Sequence, residues 1–270
     1  MNWREKLLSA THTNNSLLCV GLDTDLEKIP KFLRESSANP LLEFNKAIID
    51  ATKDVVCAYK LNMAFYEVAG KNGFEAVEKT IRYIPKSIFI ILDGKRNDIG
   101  NTAQKYAQSL FDTFKADAVT VNPYLGKDGV TPFLDYKEKC SFILCRTSNP
   151  SAHDFQDLNV DGKLMYQIVA QKIREWNTNE NCGAVVGATY PEELEAVRSI
   201  LGESIPILIP GVGKQGGNVE KTVTFGTNSK KELAIINSSR EIIFAGTGED
   251  FAEQARKKAE SVRNEINSFR

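Results

Sequence analysis

The sequence lacks the features of several large protein classes. No stretch approaches the ~18 consecutive apolar residues of a membrane-spanning helix. The N-terminal segment MNWREKLLSATHTNNS is charged and has no apolar signal core. Lys and Arg total 34 against 35 Asp and Glu, and this net charge of −1 argues against nucleic-acid or membrane-surface binding. Any site that binds an anion must therefore be formed by a few nearby residues and not by an excess of positive charge over the whole protein.

Histidine and paired cysteine are also scarce. The two histidines, His12 and His153, are widely separated, and the HDFQD stretch lacks metal-ligand spacing, which favours surface or capping roles. The five cysteines lie mostly in apolar runs and form no CxxC pair: Cys19, Cys57, Cys140, Cys145 and Cys182. This pattern is typical of buried free thiols in a reducing compartment. We therefore expect a cytoplasmic protein with no bound metal.

What is present is a repeated alternation of short apolar runs and amphipathic segments. The β-branched runs predict strands over 17–22, 55–61, 87–93, 117–122, 141–146, 183–188, 205–210 and 233–238. Apolar residues at three- and four-residue spacing predict helices over 41–52, 102–114, 164–176, 191–201 and 249–266. The segment 213–229 is long and weakly patterned, and we interpret it as a functional loop after the seventh strand.

This alternation predicts the fold. Parallel strands need helical crossovers, and near-continuous apolar strands indicate a sheet covered on both faces. The 270 residues suit a (β/α)₈ TIM barrel, which typically takes about 250 residues. An open doubly wound sheet is the alternative. We expect residues 1–270 to form a single domain.

The ends of the predicted strands are unusually polar. Active sites of barrels lie at these C-terminal ends, where the sequence places Asp23, Lys60, Asp93 with Lys95, Asn122, Ser148, Gln215 and Arg240. Alternation along a strand would put Asp93 and Lys95 on one face, with Lys60 on the neighbouring strand. A structural ion pair would explain Asp93 and Lys95 alone. Such a role is less favoured once Lys60 and Asp98 are added, because buried ion pairs rarely outperform apolar packing.

An alternating array of charges suits decarboxylation. Two like charges about 4 Å apart repel by about 4 kcal/mol at an effective dielectric constant of about 20. A substrate carboxylate beside Asp93 is therefore disfavoured, and the loss of CO₂ relieves the repulsion. The Lys95 ammonium can stabilise the developing carbanion and then donate a proton. This chemistry needs preorganised charge and no cofactor.

A second feature suits a phosphate group. The glycines of PGVGKQGG (210–217) allow backbone N–H groups to approach an anion, and phosphate sites in barrels form after strands seven and eight. Gln215 lies in this segment, and Arg240 follows the eighth strand with a forked donor suited to phosphate. An ordinary flexible loop and a surface arginine are the alternatives.

Together these residues resemble the orotidine 5′-phosphate decarboxylase family, in the longer subgroup with the pattern DxKRxDIxxT, which runs here from Asp93 to Thr102. VGLDTD, YKLNMAFYE, CRTSNP, PGVGKQGG and NSSR follow in family order at the strand ends. The resemblance covers nearly the whole chain. It implies conversion of orotidine monophosphate to uridine monophosphate in pyrimidine synthesis, without a cofactor.

The resemblance also assigns roles to the charged residues. It implies that Lys95 is the proton donor and that Asp93 crowds the substrate carboxylate. Lys60 would complete the charged array and contact the ribose, and Asp23 would bind a ribose hydroxyl.

Further roles follow for residues that bind the rest of the substrate. The resemblance implies that Ser148 hydrogen-bonds the pyrimidine, whereas the residues alone suggest only a turn there. Gln215 and Arg240 would hold the phosphate, and Asp98 and Thr102 would reach into the site of a second subunit. The resemblance thus implies a homodimer with shared active sites.

Three positions depart from the family pattern, since Ser151, Asn97 and Glu241 stand where glycine is common. Asn tolerates left-handed geometry, but a carboxylate beside a phosphate site must point away from it.

Two other functions remain open. One is a related barrel acting on a sugar phosphate, of the keto-gulonate phosphate decarboxylase type, although those relatives have a metal-ligating acid at the position of Lys60. The other is a non-catalytic barrel that binds a phosphorylated metabolite.

Overall fold

The computed structural model describes residues 1–211 and 217–270. The strands are β1 (Leu18–Gly21), β2 (Ala58–Asn62), β3 (Phe89–Arg96), β4 (Ala118–Val121), β5 (Cys140–Arg146), β6 (Asn159–Val160), β7 (Lys163–Leu164), β8 (Cys182–Val186), β9 (Ile207–Pro210) and β10 (Ala234–Ser238). The α-helices are α1 (Trp3–Thr13), α2 (Lys31–Ser36), α3 (Pro40–Thr52), α4 (Ala64–Glu67), α5 (Gly70–Tyr83), α6 (Gly100–Gln108), α7 (Lys127–Leu134), α8 (Met165–Trp176), α9 (Pro191–Leu201), α10 (Val219–Gly226), α11 (Arg240–Ile243) and α12 (Phe251–Ser268). A π-helix (Ser109–Thr113) continues α6, and a 3₁₀ helix (Pro150–Asp154) follows β5.

The strands β1 to β5 and β8 to β10 form a closed parallel barrel in the order β1-β10-β9-β8-β5-β4-β3-β2. Helices cover its outside, and β6 and β7 form a separate antiparallel hairpin. The predicted (β/α)₈ TIM barrel is confirmed, and each predicted strand overlaps one strand of the barrel. The open doubly wound alternative is wrong, because β1 pairs with both β2 and β10.

The apolar runs form strands because both of their faces are buried. One face packs against the helices, as Val20 and Ile236 do, and the other fills the barrel interior, as Cys19, Phe89 and Phe142 do. All of the cysteines are buried and free, as the sequence predicts.

The helix α1 fills the amino-terminal end of the barrel. Its Trp3, Leu7 and Ala10 belong to the same apolar cluster as the interior residues Phe89 and Phe142. Asn2 and Glu5 cap the start of the helix reciprocally, so that its first backbone N–H groups are satisfied. The carboxyl end of the strands therefore provides the open mouth.

The prediction of a loop over 213–229 is wrong for part of that segment. Residues Val219–Gly226 form α10, with the Asn218 side chain accepting a hydrogen bond from the Lys221 N–H at 2.8 Å. The pattern is weak because only a few small side chains of this short helix, such as Val223, are buried. Among the described helices, none combines the length and the apolar character that crossing a bilayer requires.

Candidate active site

A cavity of about 910 Å³ opens at the carboxyl ends of the barrel strands. The predicted site residues that line it come from the ends of five different strands and the loops after them: Asp23, Lys60, Asp93, Lys95, Ser148 and Arg240. The barrel therefore brings together residues that are more than 200 positions apart in the sequence. This is the place where barrel enzymes carry out their chemistry.

The charged residues form one connected cluster on the floor of the cavity. The Lys60 ammonium lies 3.1 Å from Asp93 Oδ2 and 3.5 Å from Asp23 Oδ1. The Lys95 ammonium lies 2.7 Å from Asp93 Oδ1. Asp93 thus stands between two lysines, and Lys60 stands between two aspartates.

Two of these charged groups are buried, so their pKa values depend strongly on the neighbouring charges. Lys60 is 3% exposed and Asp93 is 7% exposed, whereas the Lys95 side chain is 48% exposed and reaches into the cavity. Burial alone would raise the pKa of Asp93, but Lys60 and Lys95 outweigh it and hold that pKa well below its ordinary value. Burial likewise opposes the charge on Lys60, but Asp23 and Asp93 raise the pKa of Lys60 above its ordinary value. Both groups therefore stay charged at neutral pH.

An irregularity in β3 accompanies the placement of Lys95 beside Asp93. The pairing of β3 with β4 shifts register between Leu92 and Arg96, and Lys95 adopts a left-handed φ of +46°. The regular alternation assumed from the sequence therefore fails here, although the two side chains do meet. Strained backbone of this kind is retained when surrounding contacts fix it.

Thr120, on the adjacent β4, supplies those contacts. Its hydroxyl donates to Asp93 Oδ1 at 2.8 Å and accepts the Lys95 backbone N–H at 2.9 Å. Sequence analysis missed Thr120, because it lies inside an apolar strand and not at its end. The polar residue that does end this strand, Asn122, instead accepts a hydrogen bond from the Tyr124 N–H in the following turn.

A buried hydrogen-bond network holds the loop that carries Asp23. The Thr24 hydroxyl donates to Asn45 Oδ1 at 2.6 Å, and Asn45 Nδ2 donates to the Tyr66 hydroxyl at 3.0 Å. The Tyr66 hydroxyl donates in turn to the Leu22 carbonyl at 2.8 Å. These hydrogen bonds hold Leu22 and Thr24, the residues on either side of Asp23. The Asp23 carboxylate is therefore preorganised next to Lys60.

Ser148 lies in the loop after β5, against the backbone of Gly187. A β-carbon at Gly187 would come within 2.9 Å of Ser148 Cβ and 3.1 Å of its backbone nitrogen, so the close approach requires glycine. Thr147, Asn149 and Gln156 also line this side of the cavity.

Arg240 lines the rim of the cavity on the opposite side, at the start of α11. The carboxylate of its neighbour Glu241 lies 2.5 Å from the Lys258 ammonium, which compensates its charge. Gln215, predicted as the second phosphate ligand, lies outside the described residues.

Asp98 and Thr102 do not belong to the described lining of the cavity of their own chain. Asp98 Oδ1 accepts a hydrogen bond from the next backbone N–H, at Ile99, and Thr102 is exposed on α6. Large apolar side chains near them are exposed to solvent: Ile99 is next to Asp98, Tyr106 is one turn from Thr102 on α6, and Leu125 approaches Asp98 across Gly129.

The described residues contain no group of three or more His, Cys, Asp or Glu side chains arranged to hold a metal ion. The charge in the cavity instead alternates between carboxylates and ammonium groups, and an ammonium group cannot ligate a cation.

Comparisons with known proteins identify the family of this chain. A profile described as the orotidine 5′-phosphate decarboxylase / HUMPS family matches residues 16–255. Over the full length of both chains, this sequence is 50% identical to a curated orotidine 5′-phosphate decarboxylase of Cellvibrio japonicus. It is 46% identical to one of Dehalococcoides mccartyi, covering 100% of this chain and 99% of that one. A solved structure of Leishmania donovani OMP decarboxylase superposes with a TM-score of 0.87 at 35% identity, covering 100% of this chain and 98% of that chain. The resemblance seen in the sequence is confirmed, and the chain belongs to the orotidine 5′-phosphate decarboxylase / HUMPS family.

Proposed function

We propose that this chain is a carboxy-lyase that converts orotidine 5′-monophosphate to uridine 5′-monophosphate in pyrimidine synthesis, and that residues 1–270 act as one catalytic domain. The observation that carries the proposal is the cluster in which Asp93 is buried between Lys60 and Lys95 on the floor of an open cavity. The curated relatives that share 44–50% of the sequence over the full chain carry the same activity in their names.

The cluster supplies the chemistry without a cofactor. A substrate carboxylate on C6 of the pyrimidine would lie near the ionised Asp93, where repulsion is about 4 kcal/mol at about 4 Å and an effective dielectric constant of about 20. The bond from C6 to the carboxylate breaks, CO₂ leaves, and the electron pair stays on C6. Lys95 stabilises that pair and donates a proton to C6, then regains a proton from solvent.

The rest of the cavity would hold the remainder of the nucleotide. Asp23 and Lys60 lie together on the ribose side, and Ser148 lies on the side assigned to the pyrimidine. Arg240 on the rim provides a forked donor for the phosphate, together with Gln215. Binding energy at the phosphate then acts at the reacting carbon.

We also propose a homodimer in which Asp98 and Thr102 complete the site of the partner. The exposed apolar side chains near them, Ile99, Tyr106 and Leu125, support this proposal because such a patch on a single chain is typical of an interface. A cytoplasmic location is likewise a proposal, supported by the free thiols.

The alternatives are less favoured. A barrel acting on a sugar phosphate would be expected to have a metal-ligating acid where this chain has Lys60. A non-catalytic barrel would not need to retain a buried lysine between two carboxylates, since unpaired or poorly paired buried charge is costly.

The decisive experiment compares Lys95→Ala with Lys172→Ala. Both side chains are 48% exposed and both ammonium groups lie 2.7 Å from a carboxylate, but Lys172 is on the outer helix α8. Turnover is followed by the loss of ultraviolet absorbance of orotidine monophosphate. Lys95→Ala should lose at least about 10²-fold in kcat while still binding uridine monophosphate, and Lys172→Ala should match the wild type. Undiminished turnover by Lys95→Ala would reject Lys95 as the proton donor.

A mixing experiment tests the shared site. Lys95→Ala and Asp98→Ala protomers should each be inactive as homodimers. A hybrid of the two contains one site with both native residues, so mixed and re-equilibrated samples should regain turnover. No regain of turnover in samples shown to contain hybrids would contradict a role for Asp98 across the interface.

A further inference from the structure

The loop that carries Ser148 is held by a cluster that sequence analysis did not identify. We call Arg146, Gln156 and Asp157 the 146–157 clamp. Arg146 ends β5, and the other two residues follow the 3₁₀ helix that comes after it. All three contact the loop or one another, and Gln156 also lines the cavity.

Arg146 is buried to an unusual degree for a charged residue, with only 2% of its surface exposed. Its guanidinium lies 3.2 Å from Asp157 Oδ2 and 4.1 Å from the centre of the Tyr190 ring. It also donates to Gln156 Oε1 and to the Thr147 carbonyl, each at 3.3 Å. Burying a guanidinium is costly for stability, which favours a role in fixing one local geometry.

Gln156 transmits that geometry to the residue before Ser148. Its Oε1 accepts the Thr147 N–H at 2.8 Å, and its Nε2 donates to the Thr147 hydroxyl at 2.8 Å. The Thr147 hydroxyl then donates to Asn149 Oδ1 at 2.6 Å. The residues on both sides of Ser148 are therefore tied down.

Ser148 is also confined from behind. The approach of Gly187 leaves no space there for even a β-carbon, so Ser148 cannot retreat from the cavity. The hydrogen bonds at Thr147 and Asn149 and the close approach of Gly187 therefore restrain the backbone of Ser148 at the wall of the cavity.

We propose that the 146–157 clamp positions Ser148 and thereby sets the recognition of the pyrimidine base, an inference that rests on the proposed function. The clamp residues act through the loop and leave the charged cluster at Asp93 unchanged. Their loss should therefore weaken contacts to the base and spare contacts to the ribose and phosphate.

Two probes separate these contacts: uridine monophosphate, and ribose 5-phosphate, which lacks the base. Titration calorimetry on Gln156→Leu should show uridine monophosphate binding weakened by about five- to tenfold, the value of one hydrogen bond, with ribose 5-phosphate binding unchanged. Asp157→Asn, which keeps a side-chain oxygen for the Arg146 guanidinium, should show the same pattern more weakly, with folding checked by circular dichroism. Gln171→Leu, on the outer helix α8, is the matched control and should change neither affinity.

A double-mutant cycle with Ser148→Ala makes the test specific. If the clamp acts through Ser148, then Gln156→Leu should cause no further loss of uridine monophosphate binding in the Ser148→Ala background. Additive losses, or equal losses for both probes, would overturn the proposal. Wild-type protein that binds the two probes equally well would also overturn it, while turnover of orotidine monophosphate by the same sample decides the proposed function separately.

Discussion

Thr120 offers a sharp test of how the charged cluster is organised. Thr120→Val keeps the shape of the side chain but removes a hydroxyl that donates to Asp93 Oδ1 at 2.8 Å and accepts the Lys95 N–H at 2.9 Å. A hydrogen bond to a charged group contributes about 1.5–3 kcal/mol. If that energy is used in the transition state, kcat should fall by about 10- to 150-fold.

The variant should also change the pH dependence. Burial raises the pKa of Asp93, and Lys60, Lys95 and the Thr120 hydroxyl together lower it. Without that hydroxyl, the pKa of Asp93 should rise towards its ordinary value, and the acidic limb of the kcat profile should move to higher pH. At neutral pH Asp93 stays ionised, so the loss of kcat there reflects geometry and not protonation.

Turnover is measured by ultraviolet absorbance, and folding by the Tm from circular dichroism. Thr227→Val is the matched control, because the Thr227 hydroxyl is buried and donates to the Val223 carbonyl at 2.7 Å near the other end of the barrel. The control should lose stability similarly and keep its kcat. A Thr120→Val enzyme whose kcat stays within about twofold of the wild type would refute the reasoning.

Acid sensitivity, core packing and metal dependence can also be tested. Because the pKa of Asp93 is lowered by its lysine neighbours despite burial, its ionisation stabilises the fold above about pH 4 and this contribution is lost as pH falls further. The advantage of the wild type over Asp93→Asn in urea unfolding should therefore shrink below about pH 4, and parallel curves would contradict this. Gly183→Ala would place a β-carbon 2.5 Å from the Phe142 ring, and overpacking of about 1–3 kcal/mol should lower the Tm; an unchanged Tm would show that the barrel interior yields. EDTA should leave kcat unchanged because the ammonium of Lys60 stands where metal-dependent relatives have an acid, and a loss restored by Mg²⁺ would favour the sugar-phosphate alternative.

The barrel strands could be predicted because their signal is local. Runs such as SIFIILD are buried on both faces, so apolar character alone marks them. The helices α1 and α10 were missed because each buries only a narrow stripe, and capping residues such as Asn2 and Asn218 give weak signals by themselves.

Only the site residues that lie at the ends of the predicted strands could be predicted from the sequence. Thr120 lies within a strand, and its hydrogen bond from the Lys95 N–H depends on a register shift that no periodicity in the sequence predicts. Arg146 and Gln156 meet because a loop folds back over ten residues, a contact that spacing does not specify. The role proposed for Asp98 lies in the site of a second chain, so the geometry of one chain does not test it.

The helix α1, which fills the amino-terminal end of the barrel, affects how substrate enters the barrel and how products leave it. Trp3, Leu7 and Ala10 occupy that end, so in the proposed reaction the substrate enters and both products leave through the cavity at the carboxyl ends of the strands. In that reaction CO₂ is released beside Asp93 at the floor of the cavity while the nucleotide is still bound, and it can recombine with the carbanion until the carbanion is protonated. The commitment to product therefore depends on how quickly Lys95 protonates the carbanion compared with how quickly CO₂ recombines with it.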